Sequence, residues 1–348
     1  MVKDLSYYWH KKTILSFLAI VFVVIIHNSA TSQYTLTEDF FSNTANYIHN
    51  FCAYGFGSIA VPVFFLIAGI SLFRNYKSSM YTQKIRSRIK TLLIPYLIWN
   101  TIGLLFCILC TYTPLANYIA SRELFEPTLP NILSGIFLYK YNYPFWFLFE
   151  LIIFVIFTPL FDFLTSRKSL SYITFIFLLL LPVFIESFLG LNLYFIVFYY
   201  LGCYIGRYHL STVTKPSNKK ISIISGFILI ILSIIKILPL YNVVNLPTII
   251  SQLLLISMTI SAWCFSDLFI HKNKSPKLTK ESFPVYALHA YILAVIIKII
   301  YLITPHTSYM LLINEILSTT ITVITTTSIA YIWHQKSPKS YTLFFGRA

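Results

Sequence analysis

The stretch TILSFLAIVFVVIIHNSA, residues 13–30, decides the fold class, because it is apolar and carries no charge apart from its histidine. An apolar run of about 18 residues is typical of a membrane-spanning helix. A helix rises about 1.5 Å per residue, so His27 lies roughly 20 Å from the start of this run. Since Lys11 and Lys12 favour a cytoplasmic start, the sequence predicts that His27 lies in the outer half of the bilayer.

An ionisable residue inside a predicted span is a hypothesis for a functional site, because a charge is costly there. His27 is such a residue. The alternative is a neutral imidazole that hydrogen-bonds a neighbouring helix. The residue alone leaves both interpretations open.

The composition of the whole chain indicates a polytopic helical membrane protein. Its 348 residues are 57% apolar and only 11% charged, whereas soluble domains average about 25% charged residues. Apolar runs lie at about 13–30, 57–73, 91–112, 145–163, 171–187, 192–206, 221–239, 248–270, 283–303 and 311–333. The sequence therefore predicts an all-α bundle of about ten transmembrane helices, which form a single domain over residues 1–348.

The net charge of +15 follows this topology and does not indicate a nucleic-acid partner. With the N-terminus in the cytoplasm, 22 of the 26 Lys and Arg residues fall in inner segments, and only Arg122 and Lys140 fall in outer ones. Such an asymmetry is the positive-inside pattern, and it predicts that both termini are cytoplasmic. The lipid bilayer is the partner that this composition implies.

A basic segment between the second and third spans is a candidate anion site. Its cations are Arg74, Lys77, Lys84, Arg86, Arg88 and Lys90. Arginine presents a fixed fork of donors that suits a phosphate group. The same cluster could equally fix the topology or bind anionic lipid.

Polar residues also occur within later spans. Trp146 and Glu150 are four residues apart in the fourth span, so they share a helix face, and Trp146 is predicted at interface depth. Tyr286 and His289 are three apart in the ninth span, where His289 is predicted near the cytoplasmic end. Glu315 lies one turn below the outer end of the tenth span. No spacing typical of metal ligands occurs, so no metal site is predicted.

The predicted outer loop at residues 31–56 is rich in Thr, Ser, Asn and Tyr. A polar and aromatic surface of this kind could contact carbohydrate. The alternative is a loop that is simply solvated, which composition alone favours.

Four segments in order resemble the bacterial membrane acyltransferase-3 family. They are LAIVFVVIIH (18–27), FFLIAGISLF (64–73) with the basic run that leads to RIKTLLIPYLIWN (88–100), PFWFLFELI (144–152) and SFPVYALH (282–289). The resemblance covers essentially the whole chain. Members are integral inner-membrane enzymes that O-acylate surface polysaccharides, and this chain is similar to the stand-alone type, without a C-terminal esterase-like domain.

The resemblance implies a multi-pass O-acetyltransferase of the bacterial cytoplasmic membrane. Its co-substrate would be acetyl-CoA or another acyl-CoA, with no permanently bound cofactor, and its acceptor would be a surface glycan or a lipid-linked glycan. His27 would act as a general base or as a transient acyl carrier. Glu150 would orient an imidazole or bind the acceptor, and Trp146 would lie on the acceptor side. The donor-binding residues would be Arg74, Lys84, Arg86, Arg88, Lys90, Tyr286 and His289.

Two positions depart from the family pattern. Many members carry Arg eleven residues before the histidine of the first span, which is His27 here, and this chain has Ser16 at that position. Ala68 replaces the usual Ser before Gly69. The first departure bears on how the charge of the donor is met. The alternatives to an enzyme are a polysaccharide exporter or transporter, and a non-catalytic component of a glycan-synthesis complex.

Overall fold

The computed structural model of the protein describes residues 5–30, 40–113, 124–270 and 277–346. The described residues are 82% helical, and the strands found in these ranges are two residues long, Ser187–Phe188 and Leu191–Asn192. Leu189 and Gly190 between them both have positive φ, 50° and 79°, as a tight hairpin turn requires. The predicted all-α class is therefore confirmed.

The α-helices of the described ranges follow one another in chain order. They are α1 (Ser6–Ile26), α2 (Phe40–Asn50), α3 (Ala60–Phe73), α4 (Tyr81–Arg88), α5 (Ile94–Thr111), α6 (Leu129–Phe137), α7 (Trp146–Ile156), α8 (Thr158–Leu164), α9 (Lys168–Phe184), α10 (Ile196–Tyr208), α11 (Leu210–Val213), α12 (Lys219–Ile237), α13 (Thr248–Phe265), α14 (Ser282–Ile303), α15 (Ser308–Lys336) and α16 (Pro338–Phe345).

Seven helical stretches among the described residues are long and apolar enough to cross a membrane. The bent pair of α7 and α8, whose axes differ by 64°, makes an eighth if it counts as one span. These eight coincide with eight of the ten predicted spans. The other two predicted spans correspond to α9 and α10, which are helical but have only 17 and 13 residues. The protein is a multi-pass membrane protein.

The chain divides into two compact units. The first contains the residues up to Tyr76 together with Leu164–Tyr331, and the second contains Lys77–Phe163 together with the residues from Ile332 onwards. The organisation as a single domain stays a prediction.

In the first unit, glycines let α3 and α10 pack in backbone contact. A Cβ atom on Gly69 would lie 2.4 Å from the carbonyl oxygen of Tyr199, and one on Gly202 would lie 2.3 Å from that of Leu66. Both distances are well below van der Waals contact, so a larger residue at either position would push the helices apart. Close approach through small residues is a common way to pack helices in lipid.

The helix that leads into α3 begins inside the predicted outer loop. α2 buries Ser42, Ala45 and His49, whose spacing of three and four residues defines one helix face. A π-helical turn, Phe51–Gly55, and a 3-10 turn, Phe56–Ile59, then join α2 to α3. The loop prediction is therefore wrong for residues 40–56, because a polar composition concealed an amphipathic pattern, and residues 31–39 lie outside the described residues.

In the second unit, side-chain hydrogen bonds tie α5 to its neighbours. The indole nitrogen of Trp99 donates to the carbonyl of Phe344 at 2.9 Å. The side-chain amide of Asn142 donates to the carbonyl of Trp99 at 3.1 Å, and the hydroxyl of Tyr96 donates to the carbonyl of Phe137 at 2.8 Å. These bonds hold α5 against α6, α16 and the segment that precedes α7.

Candidate active site

The first unit brings the two predicted intramembrane histidines together. His27 caps the C-terminal end of α1, and its ring centre lies 5.3 Å from that of His289 on α14, with the ring planes 44° apart. The ring of Tyr286, one turn before His289, lies 6.2 Å from the His289 ring. Three of the predicted site residues therefore share one location.

The ring of His289 is fixed by a hydrogen bond and is fully buried. Its Nδ1 donates to the carbonyl oxygen of Tyr286 at 2.7 Å, so a neutral ring carries its proton there and a lone pair on Nε2. Nε2 is buried and has no hydrogen-bond partner among the described residues. A nitrogen in this state is suited to accept a hydrogen bond.

The contact between the histidines contradicts the depths predicted for them. His27 was expected in the outer half of the bilayer and His289 near the cytoplasmic end of its span, and two rings in contact cannot differ so much in depth. His27 lies about 30 Å along α1, whereas His289 lies about 10 Å along α14. The two helices pack against each other, so they are shifted along one another. The number of apolar residues predicts the length of a helix, but it does not predict the depth in the membrane at which that helix begins.

Asn28, the residue after His27, anchors the end of α1 to α15. Its side-chain amide lies 3.1 Å from the carbonyl oxygen of Glu315 and 2.9 Å from the hydroxyls of both Ser318 and Thr319. Asn28 is only 3% exposed, so these bonds form away from solvent and resist competition. Sequence analysis did not assign this residue, although an amide that directly follows an intramembrane histidine is a usable signal.

At the opposite end of α1, a buried ion pair holds the helix. The ammonium of Lys11 lies 2.5 Å from a carboxylate oxygen of Asp267, and the two side chains are 0% and 2% exposed. The hydroxyl of Tyr7 also donates to Asp267, and the backbone N–H of Ser217 donates to its second oxygen at 2.8 Å. The charge of Lys11 is thus neutralised within the protein. Lys11 therefore does not replace the positive charge that the family pattern has at Ser16, which is itself buried.

Two other cations flank a single aromatic ring near the start of α1. The guanidinium of Arg74 lies 4.3 Å from the ring centre of Trp9, and the ammonium of Lys12 lies 4.9 Å from the same ring. Cations gain about 0.5–1 kcal/mol from such contacts at exposed sites. Arg74 was predicted to bind the donor, and the structure adds Lys12 beside it, which sequence analysis did not assign.

The other predicted donor-binding cations belong to the second unit. They are Lys84, Arg86, Arg88 and Lys90, which lie on α4 and on the π-helical turn that follows it. Arg86 and Lys90 are exposed. Four like charges within about two turns create a positive field that attracts anions. α4 packs against α7, where the hydroxyl of Tyr81 donates to the carbonyl of Ile156 at 2.9 Å.

Glu150 lies on α7 in the second unit, one turn after Trp146, as the spacing predicted. Its side chain is buried, with 1% of the residue exposed. Burial and the carboxylate of Glu150 raise the pKa of Tyr139, which lies in the segment before α7. Glu150 therefore places a buried carboxyl group inside this unit. Its predicted action on the imidazole of His27, a residue of the first unit, stays a prediction.

The described residues contain no group of three or more His, Cys, Asp or Glu side chains that could hold a metal ion.

An all-α, multi-pass membrane protein in which the buried His289 contacts the half-buried His27 defines the class of molecule. The sequence profile of the acyltransferase-3 family, described as an acyltransferase domain, matches residues 14–334. The chain belongs to this family and is a membrane acyltransferase. The match includes both histidines and parts of both units. Comparisons with curated proteins and with solved structures give no significant match.

Proposed function

We propose that this acyltransferase moves an acetyl group from acetyl-CoA, on the cytoplasmic side, to a hydroxyl of a surface or lipid-linked polysaccharide, and that it acts in the cytoplasmic membrane of a bacterium. The observation that carries the proposal is the contact between His27 and His289, together with the fixed lone pair on Nε2 of His289. Attack of a hydroxyl on a thioester needs a group that accepts the hydroxyl proton, and a neutral imidazole is such a group.

The proposed reaction moves one proton and one acyl group. His27 takes the proton from the acceptor hydroxyl while the hydroxyl oxygen bonds to the thioester carbon. The carbon–sulfur bond then breaks, and the imidazolium returns the proton to the sulfur of CoA. Nε2 of His289 accepts a hydrogen bond from the protonated His27 and stabilises that state. The products are the acetyl ester and CoA, and His27 ends in its starting form.

The cations of the structure support an anionic donor. Arg74 and Lys12 lie together at Trp9 in the first unit, and the second unit carries the basic helix α4. All of these residues fall on the predicted cytoplasmic side, where acyl-CoA is available. Phosphate groups bind such cations through charge-assisted hydrogen bonds.

The division of the chain supports an enzyme over a transporter. Transporters built from internal repeats contain two related halves. The two compact units here differ more than twofold in the number of residues, which does not fit two such halves.

Mass spectrometry of surface glycans from cells with and without the gene tests the proposal. We expect the acetyl group to disappear from one glycan when the gene is deleted and to return when the gene is restored. Glycan mass that is unchanged by deletion would contradict the proposal. A loss of surface glycan with no change in its acetylation would favour the exporter.

Replacing both Arg86 and Arg88 with Gln tests the donor site of the second unit. Each charge-assisted hydrogen bond contributes roughly 1.5–3 kcal/mol, so we expect the KM for acetyl-CoA to rise at least tenfold. The measurement is acetyl transfer by purified protein in lipid nanodiscs over a range of acetyl-CoA concentrations.

Lys219→Gln with Lys220→Gln is the matched control, because it removes two exposed cations from another predicted cytoplasmic helix end. We expect this control to leave the KM unchanged. If the variant with Gln at Arg86 and Arg88 is present at the normal level and its KM is unchanged, these arginines do not bind the donor. The basic residues of α4 would then serve only to fix the membrane topology.

A further inference from the structure

A second buried histidine pairs with a carboxylate near the end of α1. Nδ1 of His49, on α2, donates to Oε1 of Glu315, on α15, at 2.7 Å. The two side chains are only 7% and 8% exposed. Ionisable groups at such positions in a membrane protein are costly, so they are hypotheses for functional sites. The proposed transfer of acetyl from acetyl-CoA to the acceptor hydroxyl, with His27 as the base, uses neither residue.

The second oxygen of Glu315 lacks a partner of its own. Oε2 is buried and has no hydrogen-bond partner among the described residues. A buried acceptor left in this state is destabilising, and more so when it is charged. A hydroxyl group of a bound molecule could donate a hydrogen bond to this oxygen and so satisfy it. The negative charge repels the phosphates of the donor and of lipid headgroups, so the expected ligand is a neutral hydroxyl compound.

The turn of α15 that carries Glu315 packs against the end of α1 at the proposed acyl-transfer site. Asn28, which follows His27 directly, contacts the carbonyl oxygen of Glu315 itself. The same amide contacts Ser318 and Thr319, one turn further along α15. The turn of α15 that carries Glu315 is thus fixed against the end of α1 that carries His27. A molecule held at Glu315 would therefore lie near the end of α1 that carries His27.

Beside the pair lies an exposed face of aromatic and amide side chains. The ring of Tyr54 stands edge-on to His49 at 5.8 Å and is 45% exposed. Tyr47 is 54% exposed, and its ring lies 4.7 Å from that of Tyr241. The side-chain amide of Asn50 donates to the Tyr241 hydroxyl at 2.9 Å. Tyrosine offers an apolar ring face with a polar tip, and amides offer both donors and acceptors, which together suit the C–H and O–H groups of a sugar.

We propose that Glu315 and His49 form the acceptor subsite, in which Oε2 of Glu315 accepts a hydrogen bond from a sugar hydroxyl and the rings of Tyr54 and Tyr47 pack against the sugar. His49 holds the carboxylate in place by its bond to Oε1. This inference rests on the proposed function, because the subsite serves a glycan acceptor. A site that bonds a hydroxyl group discriminates strongly against molecules that lack it.

Sugar binding to the full chain in lipid nanodiscs tests the subsite directly. The probes are fluorescently labelled glycan from cells that lack the gene, and labelled disaccharides of glucose, galactose, mannose and N-acetylglucosamine. Fluorescence anisotropy without any acyl donor gives the Kd. We expect the wild type to bind at least one probe, and Glu315→Gln to weaken that binding by about ten- to a hundredfold, as the loss of a charged hydrogen bond requires.

Two further variants make the result specific. Glu186→Gln removes an exposed carboxylate elsewhere in the first unit, and we expect it to leave the Kd unchanged. Tyr54→Leu alters an exposed side chain, so it preserves folding even if Glu315→Gln does not, and we expect it to weaken binding about three- to tenfold.

Release of CoA from acetyl-CoA by the wild type, in the presence of the same glycan, reports separately on the proposed function. Binding that depends on Glu315 without CoA release would support the subsite and contradict the proposed function. CoA release with binding that is equal in the wild type, Glu315→Gln and Tyr54→Leu would overturn the subsite alone. Failure of the wild type to bind any probe would also overturn the subsite.

Discussion

The variant His27→Ala should lose acyl transfer while it accumulates in the membrane at the normal level. Loss of a general base typically costs about 10²–10⁴ in rate, so surface acetylation in cells should fall to background. The imidazole stands beside His289 at the end of α1, where alanine leaves the helix intact and removes only the polar ring. The expected result is therefore a chemical defect without a folding defect, measured as glycan acetylation against protein level in isolated membranes.

Three other histidines serve as controls for His27. His10, His209 and His334 lie at or beyond the ends of predicted spans, and alanine at each should leave acetylation close to that of the wild type. If His27→Ala also acetylates glycan to a near-normal extent, the catalytic assignment fails, and His27 is a packing residue that contacts His289. A rate defect confined to His27→Ala would support the proton-transfer scheme.

Most helices of this protein follow closely from its sequence, because most apolar runs are long and most charges lie between them. The hairpin at Leu189 and Gly190 was also predictable, since it joins two short apolar runs. The bend between α7 and α8 was missed, although Pro159 lacks a backbone N–H and breaks a helix at about this point. The start of α2 was missed because its buried face is built from Ser42, Ala45 and His49, which look polar in the sequence.

The sequence predicted individual residues of the candidate site but not the contacts between them. An ionisable group in an apolar run is visible from sequence, so His27 and His289 were identified, but their contact was not. Contact depends on the shift of α14 along α1, which tertiary packing sets and local composition does not. The pair of His49 and Glu315 shows the same limit, because one partner lies in a segment that composition assigns to a loop. Polar partners in different helices become recognisable only when the helices are packed together.

The variant Asp267→Asn should destabilise the protein more than any other single change at this ion pair. It leaves the ammonium of Lys11 in a site that is 0% exposed without its counter-charge. Removal of one partner from a buried ion pair costs about 3–5 kcal/mol. We expect a clear fall in the midpoint of thermal unfolding in detergent, measured by loss of the monodisperse peak after heating, and a lower level of protein in membranes.

The double variant Lys11→Met with Asp267→Asn separates the charge from the contacts. Methionine matches the length of the lysine stem, and asparagine keeps an oxygen that can accept from Tyr7 or from the backbone of Ser217. Replacement of a whole buried ion pair by uncharged groups often changes stability little. The midpoint of thermal unfolding of the double variant should therefore return close to that of the wild type. Lys11→Met alone should be intermediate, because the remaining carboxylate keeps two donors. Equal midpoints for Asp267→Asn and the wild type would mean that the ion pair does not hold α1, and that the position of His27 depends on Asn28 and α15 instead.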